Sequence, residues 1–143
     1  MKQISKLALL ILIVTILYLL ISGNLLALSP VVIAAQLLAI ALSVWARRTF
    51  QTNQFSIQAA PQEGHLLLSG PYQFIRHPMY AAALLLIWSG ILGHISLVNL
   101  LIGVSITGVI AIRIVVEEQY LHTLYPGYTD YSHRTKRLIP LII

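Results

Sequence analysis

Cysteine is absent from this chain of 143 residues. Disulfides, thiolate metal sites and cysteine nucleophiles are therefore excluded. Charge is scarce as well: 9% of residues are Asp, Glu, Lys or Arg, against about a quarter in a soluble domain. With 58% apolar residues and a mean hydropathy of +0.85, the sequence reads as an integral membrane protein. It contains no Gly-x-Gly-x-x-Gly fingerprint, no P-loop, no serine-centred elbow and no His-x-x-x-His pair. A nucleotide-like cofactor would have to sit within or beside helices rather than on a Rossmann sheet, and no metal site is expected. The length suits one compact bundle without an added soluble domain.

Acidic residues are the scarcest charge, four against nine Lys and Arg. The net charge of +5 does not point to nucleic acid, because the basic residues are segregated. Lys2 and Lys6 lie at the N-terminus; Arg47, Arg48 and Arg76 flank the middle connection; Arg113, Arg134, Lys136 and Arg137 lie toward the C-terminus. The connections around Gly23 and His94 carry none. This alternation is what the positive-inside rule gives for an even number of spans with both termini cytoplasmic.

Four apolar segments follow. The first, Leu7 to about Leu28, would make roughly 33 Å of helix, enough for a hydrocarbon core of about 30 Å. It lacks a small-residue cleavage site, so an uncleaved first span is expected rather than a signal peptide. The second runs from Pro30 to Ala46 and ends on Trp45, Arg47 and Arg48, an interfacial anchor. Residues 49–69 are polar and mixed, broken by Pro61 and Gly64. The third segment, Pro78 to about Leu92, is short for a span. The fourth, about Ile95 to Val116, contains Gly103 and Gly108, which would permit close helix approach. The expected fold is all-α: a membrane helical bundle of about four transmembrane helices. The division expected is 1–48, two N-terminal helices, and 49–143, a core of cytoplasmic connection, two helices and amphipathic tail.

Polar chemistry gathers in three places. Gly70-Pro-Tyr-Gln-Phe-Ile-Arg76-His77-Pro78-Met79-Tyr80 meets the start of a membrane helix, where ionisable groups are costly without partners. Pro78 suits the first helical position. The first-turn N–H groups would then favour a carboxylate or phosphate. The alternative is an interfacial anchor with Arg76 snorkelling, tyrosine in the headgroup belt and His77 as a cap. The second cluster is Arg113-x-x-x-Glu117-Glu118-x-Tyr120. Arg113 and Glu117 share one helix face and could simply neutralise each other, or could meet a ligand carrying both charges. Glu118 points elsewhere and need not share that task. The tail, Tyr125 to Pro140, is either a surface helix held to anionic lipid or a lid over a cytoplasmic pocket. His94, His122 and His133 have no ligand spacing.

These residues resemble the isoprenylcysteine carboxyl methyltransferases and the related phospholipid methyltransferases of membranes. The resemblance rests on Gly70-Pro-Tyr72, Arg76-His77-Pro78-x-Tyr80, Arg113-x-x-x-Glu117-Glu118, Tyr125 to Tyr131 and Arg134-x-x-Arg137-x-x-Pro140, across roughly residues 58 to 140. The first two segments match only in being hydrophobic. The resemblance implies an S-adenosylmethionine site built from the last helices and the tail. It assigns cofactor contacts to Gln58, His65, Leu67, Tyr72, His77, Pro78, Met79, Tyr80 and Glu117, and a substrate-proximal, catalytic role to Arg113. Two departures are visible: Ala82 stands where the family commonly has glycine, and residues 63–70 are one residue short of the usual spacing.

The implied function is methyl transfer to a lipophilic acceptor at the cytoplasmic face of a multi-pass membrane protein. A carboxylate such as that of isoprenylcysteine is favoured, because an acid is already ionised near neutral pH whereas an amine must lose a proton. Two rivals stand beside it: an NADPH-dependent membrane enzyme like the steroid reductases, and a non-enzymatic scaffold. Membrane lipids and a lipophilic or lipidated substrate are the expected partners. Oligomeric state is not fixed by these features.

Overall fold

The computed structural model describes residues 2–49 and 68–139. Within them the protein is all-helical: α1 (Lys2–Ile21), α2 (Pro30–Thr49), α3 (Pro78–Gly93), α4 (Leu97–Leu124) and α5 (Tyr128–Arg134), with one 3-10 turn at Gly70–Gln73. No strand occurs among the described residues, only an isolated parallel bridge between Ile75 and Lys136.

α1 ends a full two turns before the apolar run does. Gly23 takes a left-handed conformation at φ 72°. Its N–H donates to Leu20 O at 3.2 Å, and the Asn24 N–H donates to Leu19 O at 2.8 Å. These two bonds close a Schellman motif, which needs a residue free to adopt positive φ just beyond the helix. The expected continuation to Leu28 is therefore corrected: residues 25–28 are apolar but form a connection. Leu25 in that connection is buried, and its carbonyl accepts from Gln36 Nε2 at 2.6 Å. Both fix the loop against the bundle.

α2 starts at Pro30 as expected and runs on to Thr49, packing chiefly against α3. Pro78 opens α3 in the position where its missing N–H removes no helical bond. Ser96 caps α4 by accepting from the Asn99 N–H at 3.1 Å, an N-cap contact worth about 1 kcal/mol. α4 outruns the expected Val116 by two turns, because nothing interrupts it before Pro126 and Gly127. At 28 residues it is about 42 Å long, longer than a hydrocarbon core of about 30 Å.

The buried face of α4 reads Asn99, Gly103, Ile106, Ile110, Arg113, Ile114 and Glu118. Steps of three and four keep these on one stripe. Its middle joins Leu19, Leu25, Ile87 and Ile91 in the core. Gly103 allows α3 to approach: a Cβ there would lie 2.9 Å from Ile91 Cδ1 and 3.1 Å from the Trp88 ring. The Trp88 indole donates to Thr107 Oγ1 at 3.0 Å across the same contact. Gly108, expected to do likewise, faces open space instead. The reason is its angular position: five residues after Gly103, it falls off the buried stripe.

Outward, α1, α2 and α4 present large apolar side chains, among them Leu10, Val14, Leu17, Leu37, Leu38, Leu101 and Val104. Contiguous apolar surface on this scale is not tolerated in water. Exposed hydroxyls are satisfied within their own helices, Thr15 Oγ1 donating to Ile11 O at 2.8 Å and Ser105 Oγ to Leu101 O at 2.7 Å, as a lipid environment requires. α2 and α4 are long and apolar enough to cross a membrane.

The close contact at Gly90 sets a stability prediction. A Cβ there would stand 2.6 Å from the Leu25 carbonyl oxygen and 3.0 Å from its Cα, both backbone atoms that cannot turn aside. Gly90→Ala should destabilise the folded protein by about 1–3 kcal/mol, as overpacking does. Gly108→Ala should be neutral or slightly stabilising, because alanine is the better helix former. Thermal unfolding of both variants in detergent checks the contrast.

Candidate active site

At the far end of α4 the buried stripe changes from isoleucine to charge. Arg113 and Glu118 are buried and Glu117 is half-buried between them. α3 begins beside them, bringing His77 and Tyr80. The C-terminal segment completes the cluster, and its placement is set by backbone pairing. The Arg76 N–H donates to Lys136 O at 2.7 Å, the His77 N–H to Arg137 O at 3.0 Å, and the Lys136 N–H to Phe74 O at 3.1 Å. Thr135 ends α5 in extended conformation, which lets the chain run alongside residues 74–77.

Glu118 lies at the junction. Arg76 Nε donates to its Oε1 at 2.7 Å and Arg137 Nε to its Oε2 at 2.9 Å. Arg76 also donates through Nη1 to Ser132 O at 2.6 Å and to Thr135 O. One arginine thus ties the α3 entry, α4 and the tail together. Its side chain is buried, so it is not the snorkelling anchor that sequence alone left open. His77 occupies the N-cap of α3 without a side-chain capping bond. Its ring turns to the glutamates, Nδ1 at 3.8 Å from Glu117 Oε2 and Nε2 at 3.5 Å from Glu118 Oε1.

Glu117 has different company. Tyr80 donates its hydroxyl to Glu117 Oε2 at 2.8 Å, and the Arg113 guanidinium sits 5.3 Å from the centre of the Tyr80 ring. Tyr80 therefore links the carboxylate and the guanidinium in one layer, within range of a cation–π attraction. His77 stacks against the same ring, the two centroids 5.6 Å apart. The two adjacent glutamates are divided as expected, one facing this layer and the other locked to two arginines.

Three tail and turn tyrosines line the same region. Tyr131 donates to Tyr72 O at 2.7 Å, holding the 3-10 turn to α5. Burial pushes the Tyr131 phenol up to about 12, and burial likewise raises Tyr72 and Tyr128 above the ordinary phenol range. All three stay protonated near neutral pH, so they serve as hydrogen-bond donors and not as bases.

Of the residues singled out from sequence, Tyr72, His77, Pro78, Tyr80, Arg113 and Glu117 converge at this end of the bundle. Met79 lies in the same first turn of α3, half-buried. Gln58, His65 and Leu67 lie outside the described residues, as does Pro140. Ala82 is buried within an unbroken α3, so the helix accommodates its methyl group. Sequence reasoning missed the hub role of Glu118 and the burial of Tyr128 against Tyr131. A signal for Glu118 existed: four acidic residues serve nine basic ones, so a buried arginine near the site has few carboxylates to choose from.

A helical membrane protein with a charged, partly buried cluster where two long helices and a tail meet is the class this geometry defines. A family model described as phospholipid methyltransferase matches residues 24–127, well over half of the chain, and the protein belongs to that family of membrane methyltransferases. No curated protein and no solved structure matches. The match starts earlier than the motifs quoted above suggest, so it takes in α2 as well. It stops at the residue before α5.

The glutamate hub carries a prediction. Removing one partner of a buried ion pair costs about 3–5 kcal/mol, whereas an exposed partner contributes about 1 kcal/mol or less. Glu118→Gln should therefore destabilise the protein strongly. Arg137→Ala, whose side chain is 47% exposed, should have a small effect. Chemical denaturation in detergent separates the two. Equal losses would show that Arg137 carries the hub despite its exposure.

Proposed function

We propose that this protein is an S-adenosylmethionine-dependent methyltransferase acting on a lipophilic acceptor, most naturally a carboxylate such as that of an isoprenylcysteine. The observation that carries the reading is the Glu117–Tyr80–Arg113 layer: a half-buried carboxylate and a buried guanidinium joined through one aromatic ring. The donor set fits the cofactor. Glu117 offers negative charge to a cationic group. The Met79 and Tyr80 N–H groups, which precede the first helical bond from Ala81 to His77 O, suit a carboxylate.

When bound, the cofactor supplies an electrophilic methyl group on a sulfonium. Glu117, His77, Tyr80, Met79, Pro78 and Tyr72 would hold it, with Gln58, His65 and Leu67 contributing from the middle connection. Arg113 would orient the acceptor carboxylate. No residue need act as a base, because an acid acceptor is already ionised; the buried phenols, held protonated, are consistent with that. The chain's task is then alignment and exclusion of water, which can account for a large part of a rate enhancement.

In this reading residues 1–48 embed the enzyme and residues 49–143 carry its chemistry. Four helices cross the membrane, both termini are cytoplasmic and the site faces the cytoplasm. α3, about 24 Å long, would thin the bilayer locally. Membership of a methyltransferase family favours this reading over a nicotinamide-dependent reductase or a scaffold. A second acceptor, a phospholipid amine headgroup, has the family's own description in its favour. The product distinguishes them: a methyl ester is released as methanol by base and an N-methyl group is not.

Glu117→Gln should weaken S-adenosylmethionine binding at least tenfold in calorimetry on detergent-purified protein, because a cationic ligand loses its counter-charge. Unchanged affinity would remove Glu117 from the cofactor site. Arg113→Ala should lower turnover of a prenylcysteine substrate by about a hundredfold or more while changing cofactor affinity much less, as expected when a positioning contact is lost. A parallel loss of both would make Arg113 structural.

A further inference from the structure

Tyr128 opens α5 and is 1% exposed. Its ring meets His122 edge-on at 4.7 Å and Tyr131 at 5.8 Å, so the aromatic body is fully packed. The hydroxyl is different: among the described residues it has no hydrogen-bond partner. Three nearby hydroxyls are satisfied. Tyr131 reaches Tyr72 O, Thr135 Oγ1 reaches Tyr131 O at 2.7 Å, and Tyr80 reaches Glu117. A buried phenol left without a partner is unfavourable, and such a group in a folded protein calls for an explanation.

Position supplies one. Its ring packs on Tyr131, whose own hydroxyl bonds Tyr72 O, so the residue lies beside the cluster. Glu118 does not need it, since Arg76 and Arg137 already occupy its two oxygens. Held protonated by burial, the hydroxyl is an unused donor beside a charged site. The residue also stands one position beyond the stretch that the family model covers, so that comparison assigns it nothing.

We propose that Tyr128 is a ligand-contact residue, its hydroxyl donating a hydrogen bond to an acceptor atom of bound S-adenosylmethionine. This rests on the cofactor reading above. It gives the tail a role: α5 brings a binding group to the site, and the Arg76–Glu118–Arg137 contacts hold that group in place.

The test is Tyr128→Phe in the full chain in detergent, which removes one oxygen and keeps the ring packing. Two quantities are read: the melting temperature without ligand, and the affinity for S-adenosylmethionine by calorimetry. The expected result is an unchanged or higher ligand-free melting temperature together with about fivefold or more weaker binding, the fold-change of one lost hydrogen bond. Wild-type protein that binds, beside a Phe variant that binds equally well, overturns the role of Tyr128 and leaves the cofactor reading intact. A lower ligand-free melting temperature with unchanged affinity also overturns it, by showing the hydroxyl to be structural. Wild-type protein that is folded and binds no S-adenosylmethionine overturns both.

Discussion

The ion pairing of Glu118 with Arg76 and Arg137 is the interaction on which the arrangement of this site depends. Two guanidinium groups from different parts of the chain meet one buried carboxylate on α4. Arg76 lies two residues before α3 and Arg137 three residues after α5, so the carboxylate fixes the entry of one helix and the exit of another. Low local polarity strengthens the buried Arg76 contact and makes its loss severe, whereas the exposed Arg137 contributes less. The backbone bonds of residues 74–77 with 136 and 137 then follow, since the ion pairs bring the two segments into register.

A second constraint is the single stripe of α4. Isoleucines in its middle bury against α1 and α3, and the same face continues into Arg113, Glu117 and Glu118. The apolar packing that orients the helix therefore also decides which way the charged residues point. Rotating α4 by one residue would turn Ile106 and Ile110 outward and would carry Arg113 off Tyr80. The helix is longer than a hydrocarbon core by roughly 12 Å. Packing and chemistry are thus set by one periodicity.

Much of this was legible from residue order. Pro78 and Pro30 mark helix starts because a proline fits only the first turn. The spacing of Arg113 and Glu117 places them on one face, and the shortage of charge gives the membrane class. Other features were hidden for physical reasons. The end of α1 depends on the positive φ of Gly23, which hydropathy does not register, so residues 25–28 read as helix. The separate fates of Glu117 and Glu118 depend on Arg137, nineteen residues away in the chain and brought back by the turn at Pro126. The burial of the Tyr128 hydroxyl without a partner among the described residues is a tertiary fact with no local signal. Gly103 and Gly108 look alike in sequence, and their difference comes from helix phase relative to α3.

The measurement that tests the central claim most directly is amide hydrogen exchange at Arg76 and His77 in wild-type protein and in Glu118→Gln, both in detergent. These two amides bond to Lys136 and Arg137 carbonyls and so report the docking of the tail. If Glu118 organises the site, the variant loses protection at these amides by tenfold or more while the core amides around Ile87 and Ile91 lose less. Unchanged protection at Arg76 and His77 in the variant would contradict the account, because the tail would then be held by something other than the glutamate.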